Sequence, residues 1–157
     1  MRDESTKQAA QEYLAAKLAE EGQKHEDKLN QETAVARSLV VWKKFRDAIF
    51  EQCRVWNTVT QEETLTCKET PLGDLRVWCP SRSKQMTVHY DSRRLLVTLK
   101  NAGRLEHEKD VILHIEGYST GATRDAHLVR NDEPVNVDIL ILGELRVLTG
   151  IGRQRTS

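Results

Sequence analysis

With 157 residues, 38% hydrophobic and 31% charged, the chain is long enough for one domain plus an extension, and polar enough for part of it to stand in solvent. Lys plus Arg equal Asp plus Glu at 24 each, so no net field draws the chain to nucleic acid or anionic lipid. No stretch of about eighteen apolar residues is present to span a membrane.

The three cysteines, Cys53, Cys67 and Cys79, are an odd number at wide spacing. That pattern argues against a disulfide framework and for a reducing compartment. Residues 1–5 lead into a polar helix rather than an apolar signal core. The expectation is a cytoplasmic protein without a membrane segment.

Chain chemistry switches once. The first seventy residues hold no proline and one glycine, Gly22; all three prolines and the other glycines follow. Helix therefore gives way to short strands and turns near residues 57–70. Ser5 and Gln8 have capping-box spacing, and Asp3 and Glu4 suit the positive end of a helix. Good helix formers continue to about Gln31, with Tyr13, Leu14 and Leu18 as a thin apolar patch. Residues 1–30 read as a helical extension, an oligomerisation arm whose apolar patch a partner completes. The partner is a second copy of the chain or another protein.

From Val35 the pattern sharpens. Val35, Leu39, Trp42, Phe45, Ile49, Cys53 and Trp56 recur at three- and four-residue steps, predicting the main core helix with its end near Asn57. Burying Trp42, Phe45 and Trp56 stabilises a fold by roughly 1.5–3 kcal/mol each. A continuous helix over 5–57 runs roughly 80 Å at 1.5 Å per residue, far beyond a domain of this size. Either the chain bends within residues 22–30, or the first segment overhangs and packs on another protomer.

Short strands are predicted over 64–68, 75–79, 85–90, 94–100, 111–118 and 122–130, with Met86, Val88, Leu95, Val97, Leu99, Val111, Leu113 and Ile115 inward. Short connections imply antiparallel neighbours with one dry face. Residues 136–148 alternate like a hairpin, yet Val137, Ile141, Leu145 and Leu148 share a helix face, Asn136 suits an N-cap and Gly150 a stop; helix is favoured. Residues 31–157 thus form one α+β domain: a long N-terminal helix packed on an antiparallel meander of about five strands, with a C-terminal helix.

No catalytic constellation emerges. Gly117-Tyr118-Ser119-Thr120-Gly121 has the nucleophile-elbow spacing, but no parallel sheet precedes it, and Asp125 and His127 follow too closely for separate loops to deliver them. It reads as a hairpin turn. Ser81 and Lys84 share a polar loop, where solvation accounts for both. His25, His89, His107, His114 and His127 form no metal-ligand spacing with each other or with the cysteines, so neither metal nor cofactor is expected. Arg82, Lys84, Arg93, Arg94, Lys100 and Arg104 bias the sheet toward positive charge, with Arg153 and Arg155 at the tail. Without stacking motifs, edge protection explains them better than RNA binding.

One polar group remains. Trp78, His89, His114, Glu116 and Tyr118 fall on the wet face of the predicted sheet, a ligand-binding set if the face is concave and the two histidines meet. The leading reading is a non-enzymatic protein that self-associates or binds a partner through its N-terminal helix. The alternative is a small-molecule-binding protein or minor enzyme using that polar face.

Overall fold

A computed structural model describes residues 2–102 and 110–151. The expected loop at 103–109, with Arg104, His107 and Glu108, and the basic tail lie outside the described residues.

Helix α1 (Arg2–Thr60) is one uninterrupted element. No bend occurs at residues 22–30, and Gly22 has open space around it. At 1.5 Å per residue its 59 residues span about 90 Å. The helix continues one turn past Trp56, and there the hydroxyls of Thr58 and Thr60 donate back to the Arg54 and Trp56 carbonyls at 2.9 and 3.0 Å. Gln61 then turns left-handed at φ 57° and ends it.

The buried track of α1 departs from the predicted stripe in its first two turns. Val35 and Leu39 are 59% and 51% exposed, whereas Ala34 and Ser38 are buried. Stepping back four residues at a time from Trp42 leads to Ser38 and Ala34, and small side chains suit this end because the helix lies very close to the sheet there. From Trp42 to Cys53 the reading holds, with Trp42, Phe45, Ile49 and Cys53 buried, whereas Trp56 is only half-buried against the core.

The sheet has seven strands rather than about five: β1 (Thr66–Glu69), β2 (Leu75–Cys79), β3 (Lys84–Asp91), β4 (Leu96–Ala102), β5 (Val111–Thr120), β6 (Thr123–Arg130) and β7 (Glu133–Pro134). They are ordered along the sheet as in the chain, each antiparallel to the next. β7 is the strand that the residue pattern does not announce. It follows Asn131 and Asp132, both left-handed at φ 52° and 64°, the geometry of a two-residue hairpin turn. The Gly-x-Ser-x-Gly segment is not a turn: Gly117 to Thr120 belong to β5, and the hairpin bends at Gly121, φ +61°.

Helix α2 (Val137–Leu148) resolves the ambiguous segment as helix. Asn136 Oδ1 accepts from Ile139 N at 3.2 Å, and Gly150 at φ 83° lies just past the end. Ile141, Leu145 and Leu148 are fully buried in the core formed by α1 and the sheet. Gln52 of α1 donates to the Asp138 carbonyl of α2 at 3.0 Å. The result is two layers, with both helices on one face of the sheet and the other face uncovered by any described residue.

Candidate functional site

Two features stand apart from the core: the free end of α1 and the uncovered face of the sheet. Every residue from 2 to 25 is exposed. Those 24 residues extend about 36 Å at helical rise, with Lys7, Lys17 and Lys24 interspersed among Glu12, Glu20 and Glu21. The exposed side of α1 carries Tyr13, Leu14 and Leu18, at 66%, 56% and 67% exposure, and farther along Leu39 and Phe50. Leu14, Leu39 and Phe50 recur at about seven and three helical turns, so they share one side of the helix. Between Leu18 and Leu39 that side carries Glu21, His25, Lys28 and Glu32, so the apolar residues form two separate patches, one on the projecting segment and one beside the packed half.

A short polar girdle seats the helix where it meets the sheet. Arg124 of β6 donates to Glu26 at 2.8 Å and to Asn30 Oδ1 at 3.2 Å. Arg37 donates to Asp125 at 3.2 Å. The Arg124 hydrogen bond holds the Glu26 carboxyl below the usual glutamate range. Asp125 is lowered first by the Ala126 backbone N–H and then by Arg37. Between these bonds Gly117 of β5 lies directly beneath the Asn30 backbone. The projecting segment therefore begins just before Glu26.

On the uncovered face the predicted ligand set is dispersed. His89 lies opposite Thr98 and His114 opposite Leu96, with β4 between them. Two strand spacings and a two-residue offset put their Cα atoms roughly 12 Å apart. Trp78 is occupied by Arg76, whose guanidinium carbon lies 4.8 Å from the ring centroid. Glu116 and Tyr118 do come together, around a residue that the sequence reading left out: His127 is paired with Glu116 across the ladder, and its ring stacks on Tyr118 at 4.3 Å.

His89 has a partner that the sequence also concealed. Its Nδ1 lies 2.5 Å from Asp74 Oδ1, the geometry of an imidazole N–H donating to a carboxylate. The pair edges a concavity of about 540 Å³ that also includes Thr87, Thr98, Arg94 and Lys100. Asp91 closes one side, its carboxyl held low by the backbone N–H groups of Arg94 and Arg93, to which it also gives the turn its shape. Asp74 could be found only through the β1–β2 hairpin, where Gly73 at φ +86° sets the turn that carries it toward β3.

Among the described residues, no group of three or more His, Cys, Asp or Glu side chains is arranged to hold a metal ion. Nor is any helix long and apolar enough to cross a membrane. Ser119 donates to the Gly121 carbonyl at 3.4 Å and faces Arg124 across the ladder. The molecule is an α+β protein, a seven-stranded antiparallel meander carrying two helices on one face. No protein-family model, curated protein or solved structure matches the chain.

Proposed function

We propose that this chain is a non-enzymatic cytoplasmic protein that assembles through the projecting part of α1, with a second copy as the first partner. The observation that supports this reading is the exposed apolar patch of Tyr13, Leu14 and Leu18 on a helix whose first 24 residues have no tertiary cover among the described residues. A helix segment of this length gains little stability in water without packing. Burial against the equivalent patch of a second copy supplies that packing, with the mixed charges along the arm at the rim. The test is light scattering after size exclusion on the full chain, alongside a Leu14→Glu/Leu18→Glu double variant. The parent chain is expected to run as an oligomer and the variant as a monomer, with association weakened more than about 100-fold. A parent chain that stays monomeric at high concentration overturns the reading.

A second reading rests on the Asp74–His89 pair and its concavity. Lys100, Arg94 and the hydroxyls of Thr87 and Thr98 suit a small organic anion, with His89 setting its orientation. A panel of small carboxylates and phosphate esters is expected to raise the melting temperature of the parent chain but not of a Lys100→Ala/His89→Ala variant. No stabilisation across the panel removes this alternative.

A further inference from the structure

Cys53 lies on the buried side of α1, and Cys67 lies half-buried on the edge strand β1, packed against the same core. Two hydrogen bonds fix how these elements face one another: Asn57 Nδ2 donates to the Leu65 carbonyl at 2.8 Å, and Leu65 N donates to Asn57 Oδ1 at 2.9 Å. One helical turn back from Asn57 is Cys53. Two residues on from Leu65, on the same side of the strand, is Cys67. This docking brings both cysteines to the same seam between α1 and β1. The neighbouring Cys67 thiol favours ionisation of Cys53 against the opposing effect of burial, while Cys53 pushes the Cys67 thiol up, as burial does too.

We propose that Cys53 and Cys67 are a reversible oxidation site, closing into an intramolecular disulfide when the chain meets hydrogen peroxide. The Cys53 sulfur attacks one peroxide oxygen and the O–O bond breaks. One oxygen stays on sulfur as sulfenic acid; the other leaves as hydroxide and takes up the proton lost by Cys53, giving water. The Cys67 sulfur then attacks the Cys53 sulfur, and the S–O bond breaks. The Cys67 proton leaves with that oxygen as a second water. Two thiols lose two electrons, and one peroxide becomes two waters.

The link acts on a specific part of the fold. Among the described residues β1 is paired only with β2, as the edge strand of the sheet. A bond to α1 closes a short loop through residues 61–65 and ties that edge strand to the core helix, restricting the unfolded chain. A reducing cytoplasm makes such a bond conditional, a response to oxidant rather than a standing part of the fold. Cys79, at the end of β2, is an internal control, since its sulfur contacts Ser81 Oγ at 3.4 Å in the turn that follows.

The experiment exposes the full chain to hydrogen peroxide at neutral pH, alkylates it, and maps the digest by mass spectrometry. The expected result is a linked peptide joining Cys53 to Cys67, an intact mass lower by about two hydrogens, alkylated Cys79, and reversal by dithiothreitol. The oxidised chain should melt roughly 5–10 °C higher. A Cys67→Ser variant should lose the link and leave a sulfenic acid on Cys53 that dimedone traps. Separately oxidised cysteines, links between chains, or a linked chain that melts no higher than the reduced one overturn the proposal.

Discussion

Replacing Gly117 with alanine is expected to lower the unfolding free energy by about 3 kcal/mol, at the upper end of ordinary overpacking. A Cβ built on Gly117 falls 2.2 Å from the Asn30 carbonyl oxygen, 2.9 Å from its carbon and 3.0 Å from its Cα. All three are backbone atoms of α1, so no side chain can swing aside. Relief requires the helix to rise from the sheet, and the hydrogen bonds of Arg124 to Glu26 and Asn30 lie at the same crossing. The melting temperature should fall by roughly 10 °C. Gly143 is the matched comparison. It lies within α2 with nothing within 4 Å of its added Cβ, so Gly143→Ala removes only a helix-interior glycine. That change should stabilise the chain by about 0.5–1 kcal/mol. Chemical denaturation of the two variants reads opposite signs for the same substitution. A Gly117→Ala chain as stable as its parent would show that α1 does not sit this close to β5.

The same crossing explains what could be read in the residues and what could not. Apolar periodicity located α1 and its core residues from Trp42 to Cys53, because there the large side chains fill the space between helix and sheet. It chose Val35 and Leu39 over Ala34 and Ser38, because a hydrophobicity pattern rewards size where close approach demands its absence. Gly117 was counted as turn chemistry for the same reason: its role depends on Asn30, a residue of another element and far away in sequence. Strand interiors were legible from alternation alone, so Met86, Val88, Val97, Leu99, Val111, Leu113 and Ile115 are buried as read. α2 was legible through its cap, since Asn136 acts within its own turn.

Properties that depend on register were hidden. Strand order alone, with residues 94–100 between them, separates His89 from His114; what it does not say is which residues lie opposite them, or that Asp74 reaches His89 from the preceding hairpin. Those facts arise from pairings such as Leu75 with Val88 and His89 with Thr98, which alternation leaves free to slip by two residues. The two cysteines are a similar case. Their odd number argued against a framework of bridges, while the placing of Cys53 and Cys67 at one seam depends on how Asn57 docks on Leu65.

Trp42→Ala is expected to cost about 3–5 kcal/mol, the largest single loss in the helical layer. Trp42 is 5% exposed, its ring stacks on Tyr90 at 5.5 Å with planes 11° apart, and it meets Phe45 at 6.5 Å. The Tyr90 hydroxyl in turn donates to Ser38 at 2.8 Å, and Ser38 donates to the Val35 carbonyl at 3.2 Å. Removing the indole leaves a cavity and takes the stacking partner from Tyr90, whereas Tyr90→Phe removes only the hydroxyl and should cost about 1 kcal/mol. The ratio of these losses separates ring packing from the hydrogen-bonded relay. Against a typical domain stability of about 5–15 kcal/mol, the tryptophan change removes a large share. The consequence reaches beyond the core, because the projecting segment and Trp42 belong to one uninterrupted helix. Without tertiary contacts of its own, the segment is held in helix by the packed half behind it. Circular dichroism at 222 nm should therefore show the Trp42→Ala chain losing helix at a lower temperature while its assembly weakens at the same time. An unchanged association constant in that variant would mean that the arm holds its shape without the core and that the two halves of α1 act independently.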